Sequence, residues 1–285
     1  MNKITFTIKD GINISYDITD EIINKKTAFQ HVQIVKTKAF GRMVFVDGYP
    51  QSSDLDESLF NEILAHASLG LNPNFKKVFI AGGGPGGCLR EVLKYDNIEH
   101  VTLCDLDEEA VSIYKEYLPE WNATAYSDPR TKLLFTDARA HLENHSNLYD
   151  CIIIDVPDPL ERGTTEKLFT QEFYQLCLNR LSPEGVILTQ AGRSDFDNND
   201  YFNVVCSTLK SVFPNSKTFS AFIPCYAETW GFCLGSQAEY KSNWKLASPT
   251  RYLNNDIISI YEHQSKLTLN NVNNSISKDS APYTI

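Results

Sequence analysis

The feature that most restricts the fold of this chain is a rhythm that starts near residue 56: an apolar run, a turn bearing Gly or Asp, then a helical segment. The runs are KKVFIAGGG, VTLCDLD, KLLFTDA and YDCIIIDVPDP, with helical stretches through LREVLKY and EEAVSIYKEYL between them. Strands that alternate with helices need crossover connections, hence a parallel sheet covered by helices. GVILTQAG adds a strand, a helix spans the region of Phe202 to Phe213, and KTFSAFIP and TWGFCLGS lie close enough to pair as an antiparallel edge. Upstream, ITFTI, INISYDI, HVQIVKT and RMVFVDG alternate polar with apolar between turn signals, which predicts a small antiparallel sheet. The expectation is an N-terminal β-strand domain over 1–55 and a Rossmann-like α/β domain over 56–285. The last fifteen or so residues, NNVNNSISKDSAPYTI, are polar and are expected to be loosely ordered.

Charge and composition narrow the function classes. Twenty-six Lys and Arg against 36 Asp and Glu give a net charge of −10, unsuited to a phosphate-tracking surface, so nucleic acid is not expected as a partner. No run reaches the roughly 18 apolar residues of a membrane span, and MNKITFTIKDG alternates instead of offering a signal-peptide core. The expected location is cytoplasmic. The seven cysteines form no CxxC pair and most sit in apolar runs, so they are expected to be reduced core residues, neither zinc ligands nor disulfides. His141 and His145 are four apart, but no acid completes a metal site, and a solvated helix face is the expectation.

The chemistry concentrates at the ends of the predicted strands. Gly82 to Gly87 read GGGPGG between a strand and a helix, where glycines let a ligand approach the backbone and the helix N-terminus offers free N–H groups. Asp105 follows Gly84 by 21 positions, where an acid reaches a ribose hydroxyl pair. Gly82, Gly84 and Gly87 also satisfy GxGxxG, so the glycines alone do not separate NAD from other nucleosides. Asp137 beside Ala138 does: an acid for the base as well as one for the ribose points to an S-adenosyl donor, although Asp137 also reads as a helix N-cap. Asp155 and Asp158 in CIIIDVPDP stand at the carboxyl edge of the sheet, where two acids can hold a cationic amine and take its proton.

These residues together resemble the polyamine aminopropyltransferases of the spermidine synthase group. CDLDEE, DVPDPLERG, LFTQEFY, LSPEGVILTQAG and YAETWGF are most similar to the thermospermine synthase branch. The resemblance implies a class I methyltransferase-like sheet behind a small β domain, homo-oligomers (a dimer is expected), no metal, and transfer of an aminopropyl group from decarboxylated S-adenosylmethionine to an amine. It implies that Gln30, Gln51, Gly82, Gly83, Gly84, Asp105, Leu106, Asp137 and Ala138 bind the donor. Asp155 matches the acid that deprotonates the attacking amine, and Asp158 and Tyr226 match acceptor-side positions, with Glu228 beside Tyr226 a further candidate for the substrate.

Two departures complicate that picture. The family has an acid where this chain has Pro85, and that acid holds the ammonium of the donor's arm. Where the family reads Tyr-His-Glu or Tyr-Gln-Glu, this chain reads Phe60, Asn61, Glu62. Both changes remove contacts to a cationic three-carbon arm. Complete S-adenosylmethionine, with a carboxylate on that arm, becomes a candidate donor, and Arg193 a candidate counter-charge. Putrescine N-methyltransferases, which use the complete donor, also lack the acid. The complete donor leaves open methyl transfer or 3-amino-3-carboxypropyl transfer, as in tailoring of peptide-nucleotide antibiotics. Arg162 and Arg193 favour such an anionic, nucleotide-type acceptor, and Glu228 favours an amine. A non-catalytic paralogue that binds a nucleoside or polyamine is the reading from another class, and retention of Asp155 speaks against it.

Overall fold

The computed structural model describes residues 2–159, 163–197, 199–269 and 275–285. Five strands, β1 (Asn2–Lys9), β2 (Ile12–Lys26), β3 (His31–Thr37), β4 (Gly41–Val46) and β5 (Tyr49–Ser53), form one antiparallel sheet in chain order. The fifth, YPQSS, is short and polar and has no alternation by which sequence reading finds a strand. Helix α1 (Glu57–Leu69) follows and is buried on nearly every face, because it lies between this sheet and the next.

The second part alternates as the sequence indicates: β6 (Lys77–Gly82), α2 (Gly87–Val92), β7 (His100–Asp105), α3 (Glu108–Tyr117), α4 (Pro119–Asn122), β8 (Thr131–Phe135), α5 (Ala138–Asn144), β9 (Tyr149–Asp155), α6 (Gln171–Leu178), β10 (Leu181–Arg193), α7 (Asp200–Lys210), β11 (Asn215–Ile223), β12 (Glu228–Ser236) and α8 (Asn255–Thr268). Its seven strands run in the order β11-β12-β10-β9-β6-β7-β8, parallel from β10 to β8, with β12 and β11 added antiparallel. The central strands are fully buried because both faces are covered, which is why FIA and CIII read as unbroken apolar runs. Strand order reverses between β6 and β9: the chain leaves β6 toward β7 on one side and returns to β9 on the other. Such a switch point opens a crevice beyond the carboxyl ends of the strands.

Three expectations are corrected here. Residues 275–285 are not loose: they pack on the α/β part through buried Ser277 and an Arg139–Asp279 ion pair, contacts between segments that a local reading of polarity does not register. Five cysteines are free and buried, but Cys206 of α7 and Cys233 of β12 are joined as a disulfide, Cα atoms 6.0 Å apart. They are 27 positions apart and meet only because α7 packs across β12. His141 is buried instead of solvated, its ring stacked on Phe79 at 5.7 Å and 3°. Among the described residues no group of three or more potential ligands is placed to hold a metal, and no helix is long and apolar enough to cross a membrane.

Candidate active site

A cavity of about 830 Å³ occupies the crevice at the switch point, and the N-terminal sheet closes one side of it. Its floor is the turn after β6. Gly82 and Gly83 have φ of 77° and 74°, in the left-handed region open to glycine. A Cβ on Gly82 would collide with the Asp155 carbonyl, and one on Gly84 would stand 2.9 Å from Asp105 Oδ2. The glycines are therefore demanded by the approach of backbone and acids, leaving a cradle at the mouth of α2.

The half expected to take the donor is built on β7 and β8. Asp105 Oδ1 accepts the Asp107 N–H at 2.9 Å, and burial pushes the Asp105 carboxyl up to about 6. Asp107, which the sequence reading did not single out, caps α3 and ties the two sheets: its Oδ2 accepts from Thr27 Oγ1 at 2.6 Å and from Gln30 Nε2 at 3.0 Å. That places Gln30 over the cavity, joined by Leu106 and Ala138 from the ends of β7 and β8. Asp137 is exposed to the cavity and caps α5, Oδ1 accepting the Ala140 N–H at 2.7 Å. The cap uses one oxygen and leaves Oδ2 for the cavity.

Pro85 sits half-buried in the turn, and Asn61 of α1 stands against Gly87 beside it. Asn61 Nδ2 is occupied, donating to the Glu57 carbonyl at 2.7 Å and Oε2 at 3.2 Å. Glu57 in turn pairs with Arg90 at 3.0 Å, and Arg90 with Glu91 at 2.9 Å, so the charges beneath the turn are consumed in holding α1 to α2. Phe60 gives the cavity an apolar wall, its ring edge-on to Phe232 and to Tyr226.

The half expected to take the acceptor gathers on β9, β10 and β12. The Asp155 carbonyl accepts the Gly83 N–H at 2.8 Å, and its carboxylate stands over the glycine turn. Burial, then the nearby Asp105 charge, raises Asp155 to about 7, and burial raises Asp158 to about 6. Gln190, a polar residue inside an apolar strand that motif reading passed over, orients Asp158 by donating to its Oδ1 at 2.8 Å; Gln190 Oε1 accepts from Trp230 Nε1 at 3.0 Å. Tyr226 packs on Trp230 and donates its hydroxyl to the Gln51 carbonyl at 2.6 Å, which brings Gln51 to the cavity rim.

Arg193 is not free for an anionic ligand. Its Nε lies 2.8 Å from Glu228 Oε1, its Nη2 3.6 Å from Asp195, and its Nη1 donates to the Ile8 carbonyl at 2.8 Å. Burial raises Glu228 to about 7 even with Arg193 pulling the other way. Eight acids but only this one arginine, and no lysine, line the cavity among the described residues, so its field favours cations. Arg162 lies outside the described residues.

Comparison with known proteins agrees with this geometry. A family model described as the spermine/spermidine synthase domain matches residues 57–244, and one described as the spermidine synthase tetramerisation domain matches residues 4–53. A thermospermine synthase of Arabidopsis thaliana is 36% identical over 236 residues, 82% of this chain and 69% of that protein. A polyamine aminopropyltransferase of Clostridium tetani is 37% identical over 231 residues, 81% of each chain. Among solved structures, spermidine synthase from Thermotoga maritima superposes with a TM-score of 0.86 at 26% identity, covering 94% of both chains. A spermidine synthase in complex with the transition-state analogue AdoDATO gives 0.85 at 27% identity, covering 91% of this chain and 92% of that one.

Proposed function

Since the chain belongs to the spermine/spermidine synthase family, we propose that it is a transferase moving a 3-aminopropyl-type group from an S-adenosyl sulfonium donor to the nitrogen of a cationic amine. The observation that carries the amine acceptor is the charge of the cavity: Asp155 and Asp158 face it, and the one arginine among its described lining residues is already paired with Glu228. A nucleotide-type acceptor would meet eight acids and no unpaired cation among the described lining residues.

Asp105 and Asp137 would hold ribose and base of the donor, the glycine turn its sulfur end, and Gln30 and Gln51 the open side. Asp158 and Tyr226 would hold the acceptor so that its amine lies in line with the carbon attacked. Asp155, at about 7, is poised to take the proton that the incoming ammonium must lose. A nitrogen–carbon bond forms, the carbon–sulfur bond breaks, and its electron pair stays on sulfur as a neutral thioether. Alignment supplies much of the acceleration, since no covalent intermediate is needed. The tetramerisation-domain match over 4–53 supports a homo-oligomer built on the N-terminal sheet, and we place the enzyme in the cytoplasm.

Pro85 supports a second reading, in which the donor is complete S-adenosylmethionine. Titration of the purified protein with each donor, followed by mass analysis after adding diamines and triamines, separates the readings. Methylthioadenosine formed with the decarboxylated donor preferred supports aminopropyl transfer. Preference for the complete donor rejects it, with S-adenosylhomocysteine then indicating methyl transfer and methylthioadenosine indicating aminocarboxypropyl transfer. Tight binding of either donor without turnover rejects both.

A further inference from the structure

Residues 275–285 cross the α/β part and end in the wall of the acceptor half. Asp279 anchors them: its two oxygens take a bidentate pair from Arg139 at 2.7 and 2.5 Å, Oδ1 also accepts from Thr170 Oγ1 at 2.7 Å, and its N–H donates to Glu172 at 2.9 Å. Paired bonds of this kind fix direction as well as distance. Buried Ser277 adds three bonds: its carbonyl accepts the Gln171 N–H at 2.8 Å, its N–H donates to Thr208 Oγ1 at 3.0 Å, and its hydroxyl oxygen accepts the Tyr283 N–H at 3.0 Å. The segment then delivers the Tyr283 ring onto Tyr201, centroids 6.1 Å apart and planes 16° from parallel, and the Ile285 N–H onto the Pro159 carbonyl at 3.0 Å.

Both end points adjoin Asp158. Tyr201 lies under Gly192, where a Cβ would collide with its ring and stand 3.4 Å from Asp158 Oδ2. Pro159 is the residue after Asp158, and its carbonyl is one of three backbone groups that hold that turn, beside the Val156 carbonyl on Gln190 and the Asp158 carbonyl on Thr165. Tyr201, Tyr283 and Ile285 all line the cavity. We propose that residues 277–285 are a positioning element for the acceptor half, in which Asp279 anchors the segment while Tyr283 and Ile285 fix Tyr201 and the turn carrying Asp158. The segment therefore sets the KM for the amine. This inference rests on the amine-acceptor reading above.

The test compares Asp279→Ala, Tyr283→Ala and Tyr283→Phe in the full chain, measuring amine KM, kcat, methylthioadenosine affinity and melting temperature. The expected result is an amine KM raised about tenfold in both alanine variants, the loss of roughly one well-placed interaction, with methylthioadenosine affinity within about twofold of wild type and Tyr283→Phe close to wild type because it keeps the stacked ring. Unchanged amine KM in the alanine variants overturns the inference, as does a parallel loss of methylthioadenosine affinity, which marks general loosening, or a Tyr283→Phe as impaired as Tyr283→Ala. Wild-type turnover with an amine in those cases leaves the functional reading standing. Wild-type protein that turns over no amine removes both.

Discussion

Pro85→Asp tests how this site treats the charge on the donor arm. The residue sits half-buried at the tip of the glycine turn, between the Asp105 and Asp155 sides of the cavity. An ion pair formed there falls between an exposed pair, about 0–1 kcal/mol, and a buried one broken by losing a partner, about 3–5 kcal/mol. About 2 kcal/mol for an arm ammonium corresponds to roughly 30-fold in affinity. The complete donor carries the same ammonium together with a carboxylate on that arm, and repulsion of the carboxylate by the introduced acid offsets the gain, so the preference ratio should move toward the decarboxylated donor by up to about 30-fold. Methylthioadenosine has neither arm charge and serves as the control: its affinity should stay within about twofold. The assay is calorimetric titration with all three ligands on wild type and variant. A variant that melts like wild type, binds methylthioadenosine normally and shows an unmoved donor ratio would refute the argument that Pro85 governs donor choice.

Asp155→Asn should lower kcat by about 10²–10⁴-fold, the usual contribution of a positioned base, with methylthioadenosine affinity nearly unchanged; equal losses in both would make Asp155 structural. With both substrates well below saturation, the rate should fall as pH drops through about 7, because Asp155 in the ligand-free site is then protonated, and a profile flat from pH 6 to 8 would contradict that assignment. Arg193→Gln removes the one cation lining the cavity among the described residues, so amine KM should fall severalfold at low ionic strength. A higher KM instead, in a variant of unchanged melting temperature, would point to an anionic acceptor.

Sequence reading reached the sheet and the acids at its carboxyl edge because those features are local: unbroken apolar runs for buried parallel strands, and acids at or just after their last positions. Asp105, Asp137, Asp155 and Asp158 could be named because each ends a strand or begins the loop after it, and the fold brings such positions to one crevice. What stayed hidden depends on contacts between distant segments. Arg193 looked like a free counter-charge, yet Glu228, 35 positions on, and the Ile8 carbonyl, 185 positions back, both hold it. Gln190 sits in an apolar run and shows its purpose only when β9 lies alongside. The polar 275–285 tail lacks any apolar periodicity, and its order comes from Arg139, Thr170 and Thr208, which no local pattern links to it.

The raised carboxyls give ligand binding and stability a common origin. In the ligand-free protein Asp105 and Asp158 titrate at about 6 and Asp155 and Glu228 at about 7, against roughly 4 in an unfolded chain. A carboxyl whose folded value is raised contributes stability that is full below the unfolded value and is lost as pH rises through the folded one. Glu91 acts the other way: hydrogen bonds from His66 and Lys94 outweigh the cost of its burial and hold it near 2, so its contribution rises while the unfolded group ionises and is complete above about pH 5. Above about pH 5, where the lowered carboxyls are ionised in both states, these four groups should pull the ligand-free melting temperature down until about pH 8, with His141, lowered by burial, opposing them in part. A bound amine replaces the protons as the partner of Asp155, Asp158 and Glu228, so its stabilising effect must grow over the same interval, and its binding near pH 7 must release protons. Scanning calorimetry from pH 5 to 8, with and without a diamine, reads both trends. An amine-induced shift in melting temperature that does not grow with pH would mean that these acids do not face the acceptor.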